Sequence, residues 1–183
     1  MPLRTLTRAA TFAASFAALI AAHPALAGKA DDTLVYASDS EPENVSPYHN
    51  SAREGVILAR NCWDTLLYRD PKDGTYKPFL ATAWTWADDT TLDLTIREGV
   101  VFHNGDPLGP EDVAFTFNYV LTPEARTVTR QNVDWMKSVE VTGPHTVRIH
   151  LKAPFPAALE YLAGPTPIFP ANYFKKVGLD GFA

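Results

Sequence analysis

Leu92, Leu94 and Ile96 alternate with Thr91, Asp93 and Thr95, the period-two pattern of a strand with one buried and one wet face. The pattern returns at Val147, Ile149 and Leu151 against Thr146, Arg148 and His150, a second half-buried strand reached through the Gly143-Pro144 turn. Thr33 to Ser38 has the β-branched and aromatic content of a first strand, and a polar, proline-bounded loop follows it. Ala52 to Trp63 reads as a helix, with Val56, Ala59, Cys62 and Trp63 at helical spacing. Leu66 to Tyr68 starts another strand, and Asp70 to Gly74 is a turn with Gly74 at the position that tolerates positive φ. Trp84 and Trp86 leave one face of an extended segment that Asp88-Asp89 folds back as a hairpin onto the Leu92 strand.

Between the two alternating strands the period changes. Asn104-Gly105 is a turn dipeptide. Pro110 suits the first turn of a helix, and Glu111 and Asp112 put negative charge at its positive end. Val113, Phe117 and Val120 form an apolar stripe, and the helix is expected to run to about Leu121, stopping before Pro123. A short apolar helix is expected from Ala157 to Leu162, after Pro154 and Pro156. Pro165, Pro167 and Pro170 then punctuate the passage to Tyr173-Phe174.

The first 27 residues follow a different rule. Arg4 and Arg8 give a basic start, Ala9 to Ala22 an almost wholly apolar run, and Ala25-Leu26-Ala27 a small-x-small cleavage site, the three parts of a secretory signal in order. The run is 14 residues long, short of the ~18 that a permanent span requires. Cleavage after Ala27 and a periplasmic location are expected. The remaining 156 residues would carry 14 basic and 21 acidic groups, a net charge of -7, which argues against nucleic acid as a partner. Cys62 is the one cysteine, so no internal disulfide can form; its neighbours Trp63, Leu66 and Leu67 suggest a small buried hydrophobe.

The run from Trp84 to Leu121 also carries a resemblance. Asp88-Asp89-Thr90-Thr91, Ile96-Arg97-Glu98-Gly99-Val100, Phe102-His103-Asn104-Gly105-Asp106-Pro107 and Glu111-Asp112-Val113 stand in the order and spacing of the signature region of the family 5 extracellular solute-binding proteins of ABC transporters, the dipeptide and oligopeptide binding group. Trp63-Asp64-Thr65-Leu66-Leu67, Gly74-Thr75-Tyr76-Lys77-Pro78 and the strand before Pro154 extend the similarity over the rest of the chain. Gly109 departs from it, standing where relatives have threonine or serine as the helix N-cap, a loss of only a few tenths of a kcal/mol.

The resemblance implies an α/β chain, mixed α+β in the part present, with a class II periplasmic-binding-protein-like fold that is incomplete. Residues 28–64 would start domain I, 65–165 would form the extra domain II, and 166–183 would return to domain I. Relatives run to roughly 500 residues, so the chain reads as an N-terminal fragment. The full protein would be a periplasmic monomer that captures a peptide or similar small solute between two lobes and delivers it to an ABC permease and ATPase in the inner membrane. No cofactor or metal is implied. A fragment of this kind is expected to be binding-incompetent as it stands.

The loop from Ser40 to Ser51 would leave the C-terminal end of the first strand, where open α/β sheets place their sites. Glu41, Glu43 or Asp39 are candidates to meet a cationic group, Asn44 and Tyr48 to donate hydrogen bonds, and Ser51 to border the ligand; the competing reading is a solvated acidic loop. Trp84 and Trp86 are read as core rather than as a stacking platform, and His103 with Asp106 as structural, since no second histidine stands at ligand spacing. The alternatives in function are a stand-alone exported interaction module, an inactive truncated gene product, and a periplasmic hydrolase. The hydrolase lacks a nucleophile elbow, an HExxH pair and a phosphate loop.

Overall fold

The computed structural model describes residues 32, 35–42 and 44–182. The proposed signal segment and its cleavage site lie outside the described residues. The chain divides into two units, Met1–Asp39 and Ser40–Ala183. In the first, residues 35–38 carry no regular structure, and Val35 and Tyr36 are 66% and 53% exposed. The expected strand at Thr33 to Ser38 is therefore not formed over its described part. A strand needs a neighbour to satisfy its backbone, and none pairs with this segment among the described residues.

The second unit runs α1 (Arg53–Cys62), β1 (Leu67–Arg69), β2 (Tyr76–Pro78), β3 (Ala81–Asp88), β4 (Thr91–Ile96), α2 (Pro110–Val120), β5 (Met136–Gly143), β6 (Thr146–Leu151), α3 (Ala158–Leu162) and α4 (Ala171–Phe182). A four-stranded antiparallel sheet in the order β3-β4-β6-β5 is its centre, and β1 and β2 form a separate hairpin. The alternation at 91–96 and 146–151 becomes β4 and β6, paired so that Leu92 faces Ile149 and Leu94 faces Val147. All four are buried. Trp84 and Trp86 lie opposite Leu94 and Leu92, on this apolar face; Trp84 packs against the core as expected, but Trp86, nearer the end of the edge strand, is 38% exposed and is not core. On the wet face Asp93 stands opposite Arg148 and accepts two hydrogen bonds from it, at 2.7 and 2.9 Å.

Helix α2 covers the apolar face with Val113, Phe117 and Val120, none of them exposed. Leu121 caps it and a 3-10 turn at Pro123–Ala125 follows, the expected stop. Asn118 reaches from α2 to β5, where its Nδ2 donates to the Val139 carbonyl at 2.7 Å and its Oδ1 accepts from the Val139 N–H at 2.9 Å. The start of α2 does more than place charge. Asp112 is buried, its Oδ2 accepts from the Gly109 N–H at 2.9 Å, and its Oδ1 accepts from the Ala171 N–H at 2.8 Å. Thr116, one turn later, accepts from the Phe169 N–H at 2.9 Å. One helix end thus holds the returning segment 169–171 by its backbone. Burial, the largest influence on Asp112, pushes its pKa up despite these bonds.

Two expectations about α1 need correction. Helix α1 spans Arg53–Cys62, but it turns Glu54, Gly55 and Ala59 inward, while Val56 is 42% exposed. Cys62 is exposed, not a buried hydrophobe. The apolar stripe read from spacing alone was rotated, because the side of α1 against the protein is set by Gly55, where an added Cβ would fall 2.4 Å from Asn50 Nδ2. Only a glycine allows that approach. Strand β5 and helix α4 were not anticipated: β5 mixes Lys137 and Glu140 into its alternation, and α4 is interrupted at Gly178, whose φ is 71°.

Candidate functional site

The segment 44–51 is built as a scaffolded loop. Asn44 Oδ1 accepts from the Ser46 N–H at 3.1 Å, an Asx turn. Asn50, itself buried, donates to the Asn44 carbonyl at 2.7 Å and accepts from the Ala52 N–H at 2.8 Å, which sets the entry to α1. His49 Nε2 lies 2.8 Å from the Ala125 carbonyl, and Nδ1 lies 2.7 Å from Ser46 Oγ. A carbonyl only accepts, so Nε2 carries the proton and Nδ1 receives the serine hydroxyl. Burial lowers the His49 pKa, which favours this neutral form. The Val128 N–H donates to the Tyr48 carbonyl at 2.9 Å.

Of the residues expected to meet a ligand, Glu41 is exposed, Glu43 lies outside the described residues, and Asn44 is half-buried with its side chain engaged in its own turn. Tyr48 is fully buried; its hydroxyl donates to the Pro167 carbonyl at 2.9 Å and its ring meets Phe169 edge-on at 5.1 Å. It holds the loop from behind instead of facing outward. Burial accordingly pushes its phenol pKa well above the ordinary value. Ser51 is exposed and borders a cleft of about 370 Å³. The structure brings Ser51 together with residues the sequence reading passed over. Arg60, Trp63 and Asp64 at the end of α1 and Tyr68 and Phe79 from the β1–β2 hairpin region also line that cleft.

Trp63 fixes this end of the cleft. Its ring lies 5.6 Å from Phe169 and 5.7 Å from Phe182, and its Nε1 donates to the Val45 carbonyl at 3.1 Å. Tyr68 and Phe79 form a tilted pair at 6.4 Å. Arg60 and Asp64 are both exposed, and among the described residues neither takes part in an ion pair. The cleft therefore offers one cationic group, one anionic group and aromatic surface. A charge with no partner in a plain run of helix leaves no mark in the sequence; its signal lies in the neighbours that fail to approach.

His103 lines a second cleft, of about 430 Å³, with Cys62, Trp63, Phe102, Leu108 and Phe182. Its turn is closed by the Phe102 N–H donating to the Asp106 carbonyl at 2.8 Å and by Asn104 Nδ2 donating to Asp106 Oδ2 at 2.9 Å. Among the described residues no three histidine, cysteine or carboxylate side chains gather as metal ligands.

The fold is thus an antiparallel sheet covered by a helix whose buried carboxylate holds the returning segment. The chain belongs to the bacterial extracellular solute-binding proteins, family 5, whose middle portion matches residues 75–181. It is 31% identical over 170 residues to the glutathione-binding protein GsiB of Salmonella typhi, covering 92% of this chain and 32% of that one. Over 145 residues it is 29% identical to the nickel-binding periplasmic protein of Escherichia coli (strain K12), covering 76% of this chain and 28% of that one. Among solved structures it superposes on NikZ from Campylobacter jejuni in complex with Ni(L-His), at 26% identity and a TM-score of 0.67, over 77% of this chain and 28% of that one. It also superposes on AppA from Bacillus subtilis in complex with a nonapeptide, at 25% identity and a TM-score of 0.69, over 78% of this chain and 28% of that one. The mixed α/β, class II periplasmic-binding-protein fold expected from the sequence is the fold these neighbours have. The chain spans about a third of the length of the curated relatives it matches.

Proposed function

We propose that the chain is part of the solute-binding component of an ABC importer and forms one wall of a site for peptides or similar small solutes. The observation that carries this reading is the cleft beside Ser51, where Arg60 and Asp64 present opposite charges, neither ion-paired among the described residues, next to the Trp63, Tyr68 and Phe79 rings. A solute bearing both an ammonium and a carboxylate suits such a wall. Glu41 and Asn44 would border it from the loop, and Tyr48 would act only by holding the loop in place. A ligand closes a two-lobed protein only by binding the closed state better than the open one, which takes contacts on both lobes. One wall alone is therefore expected to bind weakly, and titration calorimetry of this chain with a peptide library should give no heat in the micromolar range.

The decisive experiment exchanges this chain for the corresponding third of the Bacillus subtilis AppA and follows the melting temperature with a nonapeptide. A folded chimera whose melting temperature rises with peptide, and rises less after Arg60→Ala, supports the reading. A folded chimera indifferent to the peptide would sink it. Export to the periplasm is part of the same proposal, and mass spectrometry of the exported protein should find Gly28 at its start.

A further inference from the structure

The two edges of the four-stranded sheet are not equally protected. β5 is shielded where Asn118 bonds both backbone groups of Val139, and it carries Lys137 and Glu140. β3 reads Ala-Thr-Ala-Trp-Thr-Trp-Ala-Asp, with no charge before Asp88 and no proline. The Ala81 N–H is taken by the Leu66 carbonyl at 2.8 Å, but from Thr82 to Asp88 no backbone group bonds beyond β4 among the described residues. Proteins usually blunt such an edge with charge, proline or a covering segment.

Beside the C-terminal half of this edge lies a shallow concavity of about 450 Å³, lined by Trp86, Asp88, Asp89, Pro154, Phe155 and Leu159. Trp86 is 38% exposed there, whereas Trp84 on the same face packs against the core. Phe155 is held from below by Trp135, stacked at 5.3 Å. Asp88 Oδ1 accepts from the Thr90 N–H at 2.7 Å and from Thr90 Oγ1 at 2.9 Å, and these bonds hold its pKa below the ordinary value. Among the described residues neither Asp88 nor Asp89 forms an ion pair.

We propose that β3 is a docking edge for an extended segment of a partner protein, which adds a strand to the sheet and lays a lysine or arginine side chain between Trp86 and the Asp88-Asp89 pair. Main-chain hydrogen bonds along Thr82–Asp88 supply the affinity of strand addition, and the adjoining pocket supplies the selection of side chain. The aliphatic stem lies on Trp86 and Leu159, and the cation meets the indole face and the carboxylates; among the described residues Arg148 feels the Asp88 charge but its guanidinium is held by Asp93, so the pair has no direct cationic partner. Pro154 and Pro156, with φ fixed, keep the opposite wall in shape. This surface is separate from the Ser51 cleft, and the proposal does not depend on solute binding.

The test titrates the isotopically labelled full chain with the peptide Thr-Val-Lys-Val-Lys-Thr and reads the amide and indole resonances by NMR. The expected result is a set of shifts concentrated on residues 82–90 and the Trp86 indole, with binding roughly threefold weaker in D88N and in D89N and about tenfold weaker in W86A. Asparagine can keep the turn with Thr90, and among the described residues the Asp89 side chain makes no hydrogen bond, so both charge variants should fold even if W86A does not. Equal binding of the peptide with glutamate in place of lysine would overturn the proposal, as would shifts spread over other surfaces. Concentration-dependent shifts of the same resonances without peptide would overturn it as well, by making a second copy of the chain the occupant.

Discussion

The β3–β6 sheet and the wall at 44–65 are held by bonds of different reach. Within the sheet, β3 is joined to β4 by a tight turn and β5 to β6 by another, and the helix that covers them lies between the two hairpins. In the wall, His49 is fixed by Ala125, 76 residues away, and Tyr48 by Pro167, 119 residues away. Local pattern can therefore specify each hairpin, while the β4–β6 pairing joins segments 55 residues apart. The wall exists only once distant segments have arrived, and its shape belongs to the whole fold.

Three substitutions test this contrast. Phe117→Ala should have the largest effect, about 3–5 kcal/mol, since it opens a void under fully buried Val113, Val120 and Ile149. Urea denaturation should show the sheet and the wall lost together; survival of the wall alone would break the comparison. Asp112→Asn comes next, at about 1–3 kcal/mol, because one of its two accepted backbone bonds must be lost. The raised pKa of Asp112 means that the native state binds the extra proton, so the wild-type advantage is greatest below the ordinary carboxylate value. It should shrink as pH rises through the elevated one. Denaturation of both proteins across acidic pH measures this, and an advantage that grows with pH would refute the assignment. Tyr48→Phe is the smallest, about 1 kcal/mol for one buried hydrogen bond. Its effect should appear as faster amide exchange at Asn50 and Ala52 with the sheet amides unchanged.

The contrast also explains what could be read in the chain. β4 and β6 were legible because their inward residues are uniformly apolar, and α2 because proline, two acids and a clear apolar stripe mark its start and its face. The orientation of α1 was not legible, since the contact that sets it is the absence of a side chain at Gly55. Tyr48 was read as a ligand donor because a tyrosine in a polar loop looks available; the Pro167 carbonyl and the Phe169 ring that occupy it are on the far side of the sequence. Ser51 lies on the cleft, but Arg60 and Asp64 carry no sequence mark, since what sets them apart is that neither is ion-paired among the described residues.

The hydrogen bond from Tyr48 to Pro167 also imposes an order in time. A ribosome makes residue 48 long before residue 167, so the loop cannot take its final shape while the sheet is being synthesised. The Asp112 carboxylate meets the Ala171 amide 59 residues later, closing a loop that encloses β5, β6 and α3. Closing a loop of that length costs entropy that only the finished hairpin and helix can offset. The wall beside Ser51 is thus completed after the sheet it rests on, once residues 167–171 have docked.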